Sequence, residues 1–232
     1  VTSARTLGEL VRDEQLIPWL GGALADLHRH SAREASAHGR RAHRRVTCEG
    51  CTAQKSCCWS TVVARLYEGV VIADHLIRAG RDTPALRAEL AARAEVMEAT
   101  SPRAFRVPCV FLGERERCTI YPVRPAPCAT LYVYTDPALC TTHAGEILAY
   151  QPHEELVMAT ELEEAFRSRL ALRKKVGRRY LGVLPRMVAV ALEAWGRTDF
   201  RDYLRGLDWP DEAWLARGKL PVADEPEPGA AR

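Results

Sequence analysis

Apolar residues recur with helical spacing near the start of the chain. A first amphipathic stretch runs from Leu7 to Leu20, and the pair Gly21-Gly22 predicts a break after it. Residues 23–45 are rich in Ala, Arg and His and carry little apolar material. They predict either a second helix or a solvated arm.

Two further helices are predicted in the next part of the chain. The apolar positions of the first recur every three or four residues, namely Val63, Leu66, Tyr67, Val70 and Ile77. Glu68 lies among them and is expected to be an ordinary helix charge. The second helix should start with Thr83 as N-cap and Pro84 in its first turn. Its buried stripe is predicted at Leu86, Leu90 and Met97.

The remaining chain divides into irregular and helical parts. Six prolines between residues 102 and 137 exclude a long helix there and predict loops, with a short strand at 131–134. Helical spacing returns over 152–218, where Pro185 should separate two helices. From residue 221 the chain is rich in Pro, Glu and Ala and is predicted to be disordered.

These patterns predict a mainly α fold. We expect a helical single domain with an irregular, proline-rich cysteine-cluster core that binds metal. The predicted organisation is an N-terminal helical extension at 1–45, a metal-binding domain at 46–145, a C-terminal helical region at 146–220 and a disordered tail at 221–232. A chain of 232 residues, 47% of them hydrophobic, can bury a substantial core and does not need disulfides to stabilise it, as very small domains do.

Charge and hydropathy narrow the classes of partner. The net charge of +3 gives no strong indication of nucleic acid or of a membrane surface. No apolar run approaches the roughly 20 residues of a membrane-spanning helix. The first residues lack the apolar core of a secretion signal. We therefore expect a cytoplasmic location, where disulfides are rare.

Every cysteine falls within one segment of the chain. The eight positions are Cys48, Cys51, Cys57, Cys58, Cys109, Cys118, Cys128 and Cys140. A C-x2-C pair such as Cys48 and Cys51 places two thiolates on one tight turn, which suits a shared tetrahedral ion. Thiolate is a soft ligand that favours zinc, copper(I) or iron–sulfur clusters. Eight thiols can form two four-sulfur sites, or one site with thiols to spare.

Three other interpretations of the cysteines remain open. Free cysteines are common buried apolar residues, an oxidising compartment would allow disulfides, and a C-x-x-C pair can act in redox chemistry. Metal binding is favoured over all three because the cysteines cluster in proline-rich loops. Such loops have an irregular backbone, and bonds to a metal can fix it in place. His143, three residues after Cys140, is a spare candidate ligand.

The cysteine-rich segment resembles the YkgJ-type cysteine-cluster family, the CxxCxxCC type. The resemblance rests on P-C-x-F-L at 108–112, C-x-I-Y at 118–121 and R-P-x-x-C at 124–128, after a C-x-x-C group and a double cysteine. Cys140 matches the family's eighth cysteine, and the resemblance covers about residues 46–145. One departure is the gap before the double cysteine, which here is lengthened to residues 52–56.

The resemblance implies that the eight cysteines chelate zinc or iron. An iron–sulfur cluster is included, because a related cysteine cluster in a flagellin lysine methyltransferase is associated with one. The family's arginine–proline pair is Arg124-Pro125. Arg124 is expected either to support the centre, by bonding a sulfur or offsetting the thiolate charge, or to clamp the loop.

Three functional hypotheses follow. The first is a metal-binding protein that uses zinc or iron for structure or metal handling. The second is an iron–sulfur-dependent enzyme that modifies a protein, or a redox catalyst. The third is a zinc-stabilised module that presents the basic residues 173–179 to a protein partner or to nucleic acid; a solvated helix face explains those charges more simply, so nucleic acid is disfavoured. No phosphate-binding loop, G-x-S-x-G or H-E-x-x-H motif is present, so no catalytic residue is predicted.

Overall fold

The fold is mainly helical, as the sequence predicts. The computed structural model describes residues 5–47, 56–100, 105–114, 117–142, 148–172 and 180–209. The helices are α1 (Leu7–Asp13), α2 (Leu16–Arg41), α3 (Leu66–Arg78), α4 (Pro84–Ala99), α5 (Ala126–Thr130), α6 (Pro137–Thr142), α7 (His153–Arg169), α8 (Leu184–Trp195) and α9 (Phe200–Gly206). The strands are β1 (Val63–Arg65), β2 (Tyr132–Val133), β3 (Ala149–Tyr150) and β4 (Leu181–Val183). The predicted tail at 221–232 lies outside the described residues.

Helix α2 is one continuous helix, so the predicted break at Gly21-Gly22 is wrong. Both glycines face solvent, and a Cβ added at either would meet no atom within 4 Å. The buried stripe of Leu20, Leu24 and Leu27 runs straight past them. Packing of this apolar face outweighs the roughly 1 kcal/mol by which each glycine weakens a helix. Of the two alternatives for residues 23–45, the helix is confirmed as far as Arg41.

Helix α3 occupies the centre of the molecule. Its residues from Leu66 to Asp74 are all buried, including Glu68 and Asp74. A helix that is buried all round must be packed on every side. Its largest interface is with α8, where Gly69 permits close approach to the backbone of Met187. In the main core Tyr67 also packs edge-on against Phe166 of α7, with ring centroids 6.3 Å apart.

A short ribbon that the sequence did not indicate ties α3 to α8. Strands β1 and β4 pair antiparallel, with Val63 opposite Val183, and each strand runs directly into its helix. The first residues of both helices continue the ladder, because Leu66 N donates to Tyr180 O and Leu184 N donates to Val62 O, each at 2.8 Å. The two strand–helix units are thus held together at both the strands and the helices.

Several predicted boundaries are confirmed. Thr83 caps α4, its hydroxyl accepting from Leu86 N at 3.2 Å, and Pro84 is the first helical residue. Strand β2 falls within the predicted 131–134, where it pairs antiparallel with β3. In the proline-rich segment the described helices are short, the five-residue α5 among them. Pro185 lies in the first turn of α8, whereas α7 already ends at Arg169, so the two predicted helices are separate but Pro185 is not the point of separation.

One large apolar core joins residues from both ends of the described chain. It includes Leu7 of α1, Leu16 of α2, Phe200 of α9 and Trp209, and it surrounds α3 and α8. A separate cluster of Ala35, Val46 and Tyr132 packs the end of α2 against β2. No helix in the described ranges is both long and apolar enough to cross a membrane.

Candidate metal centre

The double cysteine lies on a single 3₁₀ turn, Ser56–Trp59. This turn brings the side chains of Cys57 and Cys58 close enough to hydrogen-bond each other. The Cys58 carbonyl accepts from Cys109 N at 2.7 Å, which fastens the turn to the next cysteine along the chain. Cys48 and Cys51 lie outside the described residues, and so does the spare candidate His143.

A hairpin-like loop brings Cys109 and Cys118 together. Leu112 and Cys118 form an antiparallel bridge, and Thr119 N donates to Phe111 O at 2.8 Å. The loop is anchored by two apolar side chains, Phe111 and Ile120, which are each 1% exposed and belong to the main core. Burying two large side chains on either side of the turn fixes the position of both thiols.

Cys128 is held by the short helix α5. Pro125 precedes that helix and Pro127 lies in its first turn, so only Ala126 and Cys128 can offer N–H groups there. Cys128 N donates to Pro125 O at 3.0 Å, and Ala126 N donates to the Glu68 carboxylate at 2.7 Å. The start of α5 is therefore attached to the central helix α3.

Two further contacts bring the ends of the cysteine segment toward this region. Helix α6, which carries Cys140, contacts the Ser56–Trp59 turn. Thr47, the residue before Cys48, is fixed to β2: its N–H donates to Val133 O at 2.8 Å and its hydroxyl to Thr135 O at 2.5 Å. Thr47, the last described residue before Cys48, is thus hydrogen-bonded to β2, the strand that follows α5.

The raised pKa values of Cys58, Cys109 and Cys128 each reflect the charges of neighbouring thiols. The hydrogen bond with Cys57 is the largest cause that raises the pKa of Cys58, followed by burial and the charges of Cys57, Cys109 and Cys118. Burial raises the pKa of Cys109 to about 11, with Cys118 and Cys57 adding to the shift. Burial also raises the pKa of Cys128 well above its usual value, with Cys109, Cys57 and Cys118 contributing.

Solvent reaches two of the five thiols. Cys128 is exposed, although the protein around it makes burial the largest cause of its raised pKa. Cys57 is exposed as well, whereas Cys58, Cys109 and Cys118 are half-buried. The five thiols therefore form a group that a dissolved ion can approach.

The donor set fits a soft metal ion by its chemistry. The six cysteines in the described ranges form no disulfide with one another. Within those same ranges, no three His, Cys, Asp or Glu side chains already surround a common point as metal ligands would. Zinc–sulfur bonds are about 2.3 Å long, so metal binding has to draw neighbouring thiols closer together.

Glu68 is the residue that sequence reasoning judged wrongly. It is 2% exposed instead of being an ordinary helix charge, and its carboxylate accepts from two backbone N–H groups, those of Arg65 and Ala126, each at 2.7 Å. Its charge contributes to the raised pKa of Cys128, after burial and the neighbouring thiols. The one signal in the sequence was a carboxylate inside a nearly continuous apolar run.

Arg124 and Arg93 differ in their relation to the cysteines. Arg124 stacks on the ring of Tyr121, with its guanidinium carbon 3.8 Å from the centroid. Its Nε is buried and has no hydrogen-bond partner among the described residues. The arginine whose charge acts on Cys109 is Arg93 of α4, which also donates to the carbonyl of Pro108. Nothing in the spacing of the sequence linked Arg93 to the cysteines, because it lies 16 residues before Cys109 on a separate helix.

Comparison with known families gives one match. Residues 47–151 match the CxxCxxCC family, which is described as a putative zinc- or iron-chelating domain. The resemblance seen in the cysteine pattern is thereby confirmed for this segment, which we call the CxxCxxCC domain. It contains every cysteine of the chain. No curated protein and no solved structure matches the chain.

Proposed function

We propose that the CxxCxxCC domain chelates zinc or iron through Cys57, Cys58, Cys109, Cys118 and Cys128. The observation that carries this proposal is the gathering of five thiols from three segments of the chain. The Cys58 carbonyl accepts from Cys109 N, the Leu112–Cys118 bridge joins the segments of Cys109 and Cys118, and the charges of Cys57, Cys109 and Cys118 all help to raise the pKa of Cys128. Ordinary buried cysteines have no need to meet in this way. Each thiol in the cluster disfavours ionisation of its neighbours, and a bound cation offsets that penalty by stabilising the thiolates.

The remaining cysteines provide further ligands in this proposal. Helix α6, which carries Cys140, contacts the turn of the double cysteine, and Cys48 follows Thr47, which is hydrogen-bonded to β2. Together with Cys51 they raise the number of thiols from five to eight, enough for two four-sulfur sites or one cluster with spare ligands. A centre of free thiolates needs a reducing compartment, so the proposal includes a cytoplasmic location.

The bound metal also contributes to folding in this proposal. The segments that carry Cys109, Cys118 and Cys128 contain an isolated bridge and a five-residue helix, and metal bonds would cross-link them. Structural zinc contributes roughly 10–16 kcal/mol in small domains, although here the large core already supports much of the fold. Arg124, stacked on Tyr121, serves this arrangement as a clamp of the loop between Cys118 and Cys128.

Anaerobic purification followed by metal analysis and an absorption spectrum tests the proposal. Stoichiometric zinc in a colourless protein identifies a zinc centre. Iron with inorganic sulfide and broad visible absorbance identifies an iron–sulfur cluster, and iron without sulfide identifies a mononuclear site. Protein that contains no metal and takes up neither zinc nor iron when reduced would contradict the proposal.

Serine variants identify the ligands. Cys109→Ser and Cys118→Ser should each lower the metal content, because serine is a poor ligand for a soft ion. Tyr121→Phe is the matched control, since it lies three residues after Cys118 and keeps the ring on which Arg124 stacks. The control should retain the metal content of the unmodified protein.

A further inference from the structure

We infer that Glu68 is a positioning residue for the metal centre, holding Cys128 in place through the backbone of α5. This inference rests on the proposed metal binding. Glu68 accepts from Ala126 N at 2.7 Å, and Cys128 lies two residues further along the same short helix. A movement of Ala126 is therefore transmitted to Cys128 through less than one helical turn.

The start of α5 depends on Glu68 because the helix lacks a cap of its own. Its N-cap residue is Pro125, whose side chain cannot accept a hydrogen bond. Pro127 offers no N–H, and Cys128 N is bonded to Pro125 O. Ala126 N is the remaining donor of this turn that needs a partner, and Glu68 supplies that partner from a different helix.

Glu68 is itself held rigidly. Its second carboxylate oxygen accepts from Arg65 N at 2.7 Å, which completes the first turn of α3. The Arg65 side chain in turn pairs with Glu163 of α7 in a buried ion pair. Glu68 thus connects α5 to a fixed part of the core, as an outer-shell partner must do to orient a ligand.

The negative charge of Glu68 also stabilises the backbone at the two helix starts that it contacts. A carboxylate at a helix N-terminus is stabilised by the helix dipole, and this carboxylate lies at the start of the 13-residue α3 while it accepts from the first N–H of α5. A neutral glutamine cannot reproduce the arrangement, because its amide nitrogen is a donor and would face one of the two N–H groups. Glu68→Gln therefore loosens one of the two helix starts with little change in volume.

A double-mutant cycle tests the inference. Zinc affinity is measured by competition with a chromogenic chelator for the unmodified protein, Glu68→Gln, Cys128→Ser and the double variant. Outer-shell substitutions typically weaken metal affinity about 10- to 100-fold, and we expect such a loss for Glu68→Gln. In the Cys128→Ser background the same substitution should change the affinity less than about threefold, because its target thiol is already absent.

The thiolate-to-metal absorption of the cobalt(II)-loaded protein gives a second readout that a purely structural role would not move. Glu68→Gln should lower its intensity toward that of Cys128→Ser. The matched control is Asp74→Asn, a carboxylate on the same helix that is equally 2% exposed and pairs with Arg78 instead of α5. This variant should leave both the zinc affinity and the cobalt spectrum unchanged.

The outcomes separate this inference from the proposed function. If the unmodified protein binds no zinc or cobalt, the proposed function fails. If it binds metal and Glu68→Gln binds equally well, or if the losses from Glu68→Gln and Cys128→Ser simply add, the positioning role is overturned and metal binding stands. Should Glu68→Gln fail to fold, Glu68→Asp replaces it; failure of both to fold would overturn the inference by showing that Glu68 holds the whole fold.

Discussion

Gly69 of α3 lies against the carbonyl oxygen of Met187 in α8, only 2.4 Å from where a Cβ on Gly69 would stand. No real Cβ tolerates a backbone oxygen at that distance, and neither helix can move easily because both are buried in the main core. We therefore expect Gly69→Ala to force α3 and α8 apart and to lower the free energy of unfolding by about 1–3 kcal/mol or more. Urea unfolding followed by circular dichroism measures the change.

Gly22→Ala is the matched control for that substitution. Gly22 also lies within a long helix, but it faces solvent and a Cβ there would meet nothing within 4 Å. Alanine at this position should raise the free energy of unfolding by about 0.5–1 kcal/mol, because it restricts the unfolded chain and favours the helix. Equal stability of Gly69→Ala and the unmodified protein would contradict the close packing of α3 on α8.

The buried ion pair between Arg65 and Glu163 gives a second stability prediction. The two side chains are 10% and 6% exposed, and Thr160 lies beside them with its hydroxyl 3.3 Å from Arg65. Removing one partner leaves the other charge buried and unpaired, which costs about 3–5 kcal/mol. We expect Glu163→Ala to show a loss of this size in chemical unfolding.

An exposed ion pair provides the comparison. Arg205 and Asp202 on α9 are 2.8 Å apart, with side chains 46% and 74% exposed. Solvent screens such pairs, so Asp202→Ala should change the free energy of unfolding by less than about 1 kcal/mol. If Glu163→Ala lowered the free energy of unfolding as little as Asp202→Ala, the Arg65–Glu163 pair would not be buried from solvent.

Local chemistry explains which parts of the fold could be predicted. The start of α4 follows from Thr83 and Pro84 alone, since a hydroxyl cap and a helical proline act within one turn. Strands β1 and β4 could not be found in this way. Each has three residues and continues directly into a helix, so its apolar residues look like the first turn of α3 or α8. Their pairing depends on residues more than a hundred positions apart.

In the candidate site, too, some residues could be predicted from the sequence and others depend on tertiary packing. Cysteine is rare and chemically distinctive, so its positions indicate a metal centre without any knowledge of the fold. Glu68 and Arg93 are common residues on helices, and their roles come from where those helices pack. Glu68 meets α5 from 58 residues away. Such contacts are tertiary, and a single sequence carries no signal for them beyond a charge in an apolar run.

His28 of α2 should make stability depend on acidity. Burial lowers its pKa from 6.5 to about 4, and the charge of Arg124 adds to the shift. The folded protein therefore keeps His28 neutral where the unfolded chain already takes up a proton. The free energy of unfolding therefore has its full value above pH 6.5, as far as His28 is concerned. It decreases as the pH falls from about 6.5 to about 4. Nuclear magnetic resonance of the ring protons should show no normal titration near pH 6.5.

Two variants separate the causes of that shift. His28→Gln should flatten the difference in unfolding free energy between pH 7 and pH 5, compared with the unmodified protein. Arg124→Gln should raise the pKa of His28 part of the way back, since burial is the larger cause and remains. A His28 that titrates normally in the unmodified protein would show that its ring is better solvated than the structure indicates.

Arg93 should strengthen metal binding through its charge. It lies close enough to Cys109 to oppose the burial that raises the pKa of that thiol, and it donates to the Pro108 carbonyl beside it. Loss of the charge leaves the anionic thiolates less compensated, so Arg93→Gln should weaken zinc affinity by about tenfold. Arg93→Lys, which keeps the charge, should retain most of the affinity.

Arg87→Gln is the control, because Arg87 lies on the same helix but binds Asp82 and the Leu192 carbonyl. It should leave zinc affinity unchanged, whereas equal losses in Arg93→Lys and Arg93→Gln would assign the effect of Arg93 to its shape and not to its charge.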